Sequence, residues 1–212
     1  MLVVARHGRT AWNAEGRFQG WADVPLDRVG RDQAEALAEE LASQLTISAS
    51  APVQLWSSDQ LRARQTAEVV GRAIGASGRV ERVLREVDVG RWEGLTRNEV
   101  RARFPGEYRA WFGGGGQARE LRRGGGETLA EAGRRVAEFI AGRLTDRATL
   151  VVVGHGMSLQ AGLDDLGRRG RIRLSGPAPH LPNAGYLALD SWGPASCDEE
   201  PGVDPSVGLT RA

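Results

Sequence analysis

The chain is short of several things, and each shortage narrows what it can be. It has one cysteine, Cys197, in 212 residues, so it forms no internal disulfide and suits a reducing cytoplasm. No apolar run approaches the roughly 20 residues of a membrane-spanning helix. There is no excess of charge: 28 basic residues face 27 acidic ones for a net +1, which points away from bulk nucleic-acid or membrane-surface binding. The N-terminus enters an apolar segment directly, with no signal-peptide pattern ahead of it. The expectation is a cytoplasmic protein, long enough to bury one α/β core. Its basic side is overwhelmingly arginine, for which a GC-rich coding sequence is reason enough.

Histidine is scarce too. Of the three present, two stand directly after strand-like apolar runs. Leu2-Val3-Val4-Ala5 ends in Arg6-His7-Gly8, and Leu150-Val151-Val152-Val153 ends in Gly154-His155-Gly156. Ligands of open parallel sheets bind just beyond the carboxyl ends of strands. The two strands are therefore expected side by side, with His7 and His155 facing one pocket.

The intervening chain alternates helices and strands. Asp27 is placed to cap a helix whose inner face is Ala34, Leu37, Ala38, Leu41 and Leu45. A second strand, Val53 to Trp56, runs into a helix expected to begin at Ser57-Ser58-Asp59 and reach Ile74. Arg79 to Val83 reads as a third strand. Thr96 can cap a short helix ending before Pro105. The glycine-rich stretches Gly113 to Gly116 and Gly124 to Gly126 suit a mobile lid or a plain surface loop equally. An amphipathic helix from Glu127 to Leu144, a helix from Met157 to Leu166 and a strand from Gly185 to Leu189 complete the pattern. It predicts one doubly wound, mainly parallel sheet over residues 1–190, followed by a loose tail over 191–212.

A neutral imidazole is a competent nucleophile that can hold a phosphoryl group. The transferred group is anionic and needs fixed positive charge around it. Arg6 offers a planar fork, and Arg62, in the first turn of a helix after a strand, can project over the same rim. His155-Gly156 opens a helix, whose backbone N–H groups suit an anion. Glu86 is the candidate proton donor for a leaving alkoxide. By themselves these residues describe an anion-binding α/β domain suited to phosphate chemistry.

Their combination goes further. Arg6-His7-Gly8, the Ser57-Ser58-Asp59-x-Leu61-Arg62-Ala63-x-Gln65-Thr66-Ala67 segment, Leu84-Arg85-Glu86 with Gly90-x-Trp92-Glu93-Gly94-Leu95-Thr96, and His155-Gly156 occur in the order found in the histidine phosphatase superfamily, which this chain strongly resembles over residues 1–190. The resemblance implies a phosphoglycerate mutase-like α/β/α sandwich. It also implies His7 as phosphoryl acceptor, Glu86 as proton donor, and Arg6, Arg62 and His155 as the phosphate pocket. Asn13 and Gln19 match positions that touch phosphate or substrate, and Gly156 and Met157 would add backbone donors. No metal or organic cofactor is expected. The partner would be a small phosphorylated metabolite, and dimers are frequent among relatives.

Two positions depart from the pattern. Arg9 stands where relatives usually carry Glu or Gln, and would favour a more acidic substrate if it faces the pocket. Gly154 replaces the Ser or Thr that commonly precedes the second histidine. Trp21, Tyr108 and Trp111 are candidates for an apolar wall around the leaving group, whereas Trp92 reads as packing and His180 as a surface-loop residue. Some 69 positions separate Glu86 from His155, too few for the longer insertion of the mutases, which favours a phosphatase over a mutase. Other readings are a non-catalytic phosphoester-binding protein and a metal hydrolase built on His7, His155, Glu86 and Asp88. The last would set two guanidinium groups against a cation.

Overall fold

The computed structural model describes residues 1–47, 52–113, 115–189 and 209–210. The chain runs β1 (Leu2–Arg6), α1 (Ala11–Ala14), α2 (Arg28–Ile47), β2 (Val53–Ser58), α3 (Leu61–Ile74), β3 (Gly78–Glu81), α4 (Arg97–Arg103), α5 (Pro105–Gly113), α6 (Leu129–Ala141), β4 (Thr149–Gly154), α7 (Gly156–Arg168), β5 (Tyr186–Leu189) and the two-residue β6 (Leu209–Thr210). The sheet order is β3-β2-β4-β1-β5-β6. The first four strands are parallel, β5 runs antiparallel beside β1, and β6 pairs antiparallel with β5. The rest of the tail, with Cys197, lies outside the described residues.

Alternation along the central strands builds the layers. Leu2, Val4, Leu150 and Val152 pack against Val136 and Ile140 of α6 and Leu159, Leu163 and Leu166 of α7. Val3, Ala5, Val151 and Val153 face the opposite way, onto Leu37, Leu41 and Leu45 of α2 and Ala63, Ala67 and Val70 of α3. A parallel sheet covered on both faces needs such continuous apolar strands. Each of these Leu or Val side chains contributes about 1.5–3 kcal/mol by leaving water. The expected three-layer α/β/α sandwich is the observed fold.

β1 and β4 are neighbours in register, with Arg6 opposite Gly154. From there the chain leaves β1 toward α2 on one face and leaves β4 into α7 on the other. Two adjacent strands whose connections part to opposite faces open a crevice at their carboxyl ends. Asp27 caps α2 as expected, accepting from the Gly30 N–H at 2.7 Å.

Two local expectations need correction. Ser57 and Ser58 extend β2, paired with β3 and β4, so α3 begins later, at Leu61. Asp59 is bound instead to Arg85, at 2.8 and 2.7 Å. Gly124–Gly126 is neither lid nor plain loop. It lies against the backbone of Asp88–Trp92, with Arg91 N donating to Gly124 O (3.0 Å) and Glu127 N to Asp88 O (2.8 Å). Gly124 has φ +52°, and a Cβ there would sit 2.3 Å from the Val89 carbonyl oxygen.

Gly124→Ala therefore combines left-handed strain with a backbone clash. It is expected to cost about 2–4 kcal/mol in urea unfolding, while Gly16→Ala should cost only about 1 kcal/mol. Gly16 has a similar φ of +66° but open space around it. Equal costs would remove the close approach as the reason for glycine at 124.

Candidate active site

His7 follows the last residue of β1 and is held by its backbone. Its N–H donates to Gly154 O (3.0 Å), and its carbonyl accepts from Ala184 N (3.1 Å) and from Asn183 Nδ2 (3.3 Å). The ring is 2 % exposed. Its Nδ1 lies 2.7 Å from Gly8 O. A carbonyl oxygen can only accept, so Nδ1 carries the proton and Nε2 is left with its lone pair. Nε2 accepts from Arg62 Nε at 3.2 Å. A neighbouring backbone group thus fixes the ring in the tautomer whose Nε2 carries the lone pair.

His155 is the N-cap residue of α7 and is fully buried. Its ring centroid is 5.1 Å from that of His7. Neither of its ring nitrogens has a hydrogen-bond partner among the described residues. Burial holds both imidazoles well below their usual pKa, reinforced first by the Arg62 charge; the Gly8 carbonyl opposes this at His7. Both rings are neutral at neutral pH.

Arg62 reaches the crevice from the first turn of α3. Its Nη1 and Nη2 donate to Ala22 O (2.7 Å) and Gly20 O (3.1 Å), which ties the loop after β1 to the helix. Burial pushes its pKa down to about 10, with Glu86 and Asp23 opposing, so it remains a cation. Arg6 donates through Nη1 to Leu181 O at 3.0 Å, and its buried Nε is without a partner among the described residues. Burial lowers its pKa as well. The crevice therefore holds two fixed cations beside a neutral imidazole.

Glu86 faces them from the opposite rim. Oε1 accepts from Ser158 N (2.9 Å) and Val87 N (2.8 Å), and Oε2 from Met157 N (3.3 Å). The first amides of α7 are thus directed at the carboxyl group, and the expected Met157 backbone donor is engaged there. Three side chains that sequence reasoning did not single out for the site fix this loop. Gln60 accepts from Glu86 N (2.9 Å) and donates to Gly20 O (3.0 Å). Arg135 of α6 donates to the carbonyls of Val83, Arg85 and Glu86 at 2.5, 2.8 and 3.0 Å. Glu127 holds that guanidinium through two bonds of 2.9 and 2.8 Å. Nothing in the local sequence pattern marks either member of this pair.

A cavity of 130 Å³ is lined by Arg6, His7, Asn13, Arg17, Phe18, Gln19, Gly20, Arg62, Glu86, Gly156, Met157 and His180. It gathers most of the residues expected from the sequence; His155, expected to face the same pocket, is buried off its wall with its ring 5.1 Å from that of His7. Asn13 and Gln19 are oriented through Thr10, whose hydroxyl lies 3.1 Å from Asn13 Oδ1 and 2.9 Å from Gln19 Oε1. His180, read as a surface-loop residue, is exposed but stands on the cavity wall. Arg17 and Phe18 are also additions.

Four expected substrate contacts are elsewhere. Arg9 pairs with Asp27 at 2.8 Å, because the close approach of its backbone to Gly30 turns the side chain toward the start of α2. Trp21 donates from Nε1 to Glu86 O (2.9 Å) and lies under the guanidinium groups of Arg82 and Arg85, supporting the loop from outside. Tyr108 stacks on Phe112 and accepts from Arg97 at 3.1 Å. Trp111 packs edge-on against the buried Trp92.

The family profile for the histidine phosphatase superfamily (branch 1) matches residues 2–191. A glucosyl-3-phosphoglycerate phosphatase of Mycobacterium tuberculosis is 34% identical over 205 residues, spanning 92% of this chain and 82% of the relative. A metal-independent phosphoserine phosphatase of Arabidopsis thaliana is 32% identical, over 92% of this chain and 82% of its own length. The solved structure of the mycobacterial glucosyl-3-phosphoglycerate phosphatase complexed with VO3 superposes with a TM-score of 0.71 at 30% identity, covering 92% of this chain and 99% of that one. The chain belongs to branch 1 of the histidine phosphatase superfamily and is a phosphoric monoester hydrolase.

Proposed function

We propose that the protein hydrolyses a small phosphorylated metabolite without a metal, through a phosphohistidine on His7. The observation that carries this reading is the Nε2 lone pair of a neutral, buried His7 between Arg6 and Arg62, with Glu86 across the same cavity. His7 Nε2 attacks phosphorus while the bond to the leaving oxygen breaks. The Glu86 carboxyl group gives its proton to that oxygen. Water then attacks the phosphohistidine, Glu86 takes a proton from it, and the bond between phosphorus and Nε2 breaks to release phosphate. Arg6, Arg62 and His155 hold the phosphoryl oxygens throughout, where fixed donors act most strongly. Two guanidinium groups in the cavity repel a cation, which favours chemistry independent of metal. The names of the relatives, acting on glucosyl-3-phosphoglycerate and phosphoserine, support a small metabolite as substrate.

Three outcomes are expected. Phosphate release from a monoester panel should persist in chelator and fall at least about 10⁴-fold in His7→Ala. A phosphoryl group should be trapped on wild-type protein by quenching into alkaline detergent, where a phosphorus–nitrogen bond survives; turnover retained in the His7 variant would refute the nucleophile.

The pH profile should carry the histidine's signature. His7 must be neutral to attack, and its folded pKa lies below the usual 6.5. The neutral form therefore persists as pH falls through 6.5, and kcat/KM should drop only at lower pH. An acid limb centred at or above 6.5 would contradict a buried, cation-flanked nucleophile.

Arg135 acts on Glu86 through the backbone and is a positioning residue. Arg135→Gln should lower kcat for an alkyl phosphate by about 10²-fold, through misplacement of the acid. Turnover of p-nitrophenyl phosphate, whose leaving group needs little proton donation, should fall far less. Equal losses on both substrates would mean that Arg135 serves only the fold.

A further inference from the structure

Gln60 stands at the N-cap of α3, yet its side chain makes no capping bond. The first amide of that helix, Leu61 N, donates instead to Asp23 Oδ1 at 2.5 Å, in the loop after β1. Serine, threonine, aspartate and asparagine are the ordinary capping residues, so helix formation does not account for a glutamine here. The side chain is 2 % exposed and spans two loops. Its Oε1 accepts from Glu86 N (2.9 Å), and its Nε2 donates to Gly20 O (3.0 Å). One end faces an N–H and the other a carbonyl, so the two ends of the amide are not interchangeable. A side chain of a single polarity could hold only one of these partners.

The two partners serve different sides of the cavity. Glu86 N belongs to the residue whose carboxyl group faces the phosphoryl crevice. Gly20 O also accepts from Arg62 Nη2 (3.1 Å), and Ala22 O accepts from Arg62 Nη1 (2.7 Å). The Gly20–Ala22 turn is therefore the support against which Arg62 is set, and Gln60 ties that turn to Glu86. Other bonds close the same frame. Trp21 Nε1 donates to Glu86 O (2.9 Å), and Glu93 Oε2 accepts from Trp21 N (2.9 Å) and Ala22 N (2.7 Å). Gly20, Arg62 and Glu86 line the cavity, whereas Gln60 does not, so it can act only through them.

We propose that Gln60 is a positioning residue that fixes the separation between the Glu86 acid and the Arg62 phosphate clamp. Proton donation and phosphoryl binding then depend on one buried amide. The role rests on the phosphatase reading above. It differs from that of Arg135, which grips the backbone of the Glu86 loop alone.

Gln60→Met keeps the length of the side chain and removes both hydrogen bonds, and two readouts report the two sides. Turnover of an alkyl phosphate should fall about tenfold further than that of p-nitrophenyl phosphate, which needs little proton donation. The calorimetric Kd for inorganic phosphate should rise about fivefold to tenfold, because the turn behind Arg62 loosens. Arg135→Gln should move the first readout and leave the phosphate Kd within about twofold. Glu93 is exposed, so Glu93→Ala frees the Trp21 and Ala22 amides without disturbing a core. It tests the same turn if the Met variant does not fold, and should raise the phosphate Kd about threefold. Phosphate binding requires no turnover, so a wild type without hydrolysis would refute the phosphatase reading and leave this arm readable. Thermal destabilisation of Gln60→Met with both readouts unmoved, movement of the leaving-group readout alone, or an unchanged Kd in Glu93→Ala overturns the proposal.

Discussion

The register between β1 and β4 is the constraint on which the site depends. With Arg6 opposite Gly154, each strand delivers its histidine at the same height, and the rings meet at 5.1 Å. The flanking connections part to opposite faces of the sheet, which leaves the carboxyl ends of both strands accessible to a ligand. A slip of one residue would send His7 and the core-facing side chains of β1 to the wrong faces together. The apolar burial of the sheet and the placing of His7 are thus one requirement.

That placement brings cations and imidazoles into a region with little water. Burial keeps both rings uncharged and weakens the arginines without discharging them. Several donors around the cavity lack protein acceptors among the described residues, including Arg6 Nε and the Ser158 hydroxyl. An arrangement of surplus donors is costly to fold and suited to an anion. The two large cores on either side of the sheet offset that cost.

Much of this was legible because local rules place the residues concerned. His7, Arg6 and His155 sit at or just after strand ends, and Arg62 lies one turn into a helix, so pattern alone located them. Glu86 could be named as a candidate acid from the sequence, but nothing in its local pattern placed it at the site. Its loop has no repeating pattern and takes its shape from Arg135, 49 positions away, and from the packing of Gly124. Ser57 and Ser58 misled because serine is a common helix cap; strand pairing on both sides outweighed that preference. Arg9 misled because it follows His7 by only two positions while its own side chain pairs with Asp27. Trp111 was read as a substrate wall, yet its ring is occupied by Trp92 and Arg123.

The small third core has a consequence of its own. Val89, Trp92 and Val100, with Phe104, Tyr108 and Trp111 packed against them, form a cluster separate from the two that clothe the sheet. Residues of α4 and α5 therefore draw their burial from one another, from Phe18 and the loop beyond Glu86, and from Met157 at the start of α7, apart from the two cores on the sheet. Units of this kind open and drift independently of the scaffold that carries them. Helices packed in this way can then be rewritten while the sheet and the crevice at its strand ends keep their geometry. Inheritance of a reaction and divergence of its substrates become separable at a boundary drawn by packing.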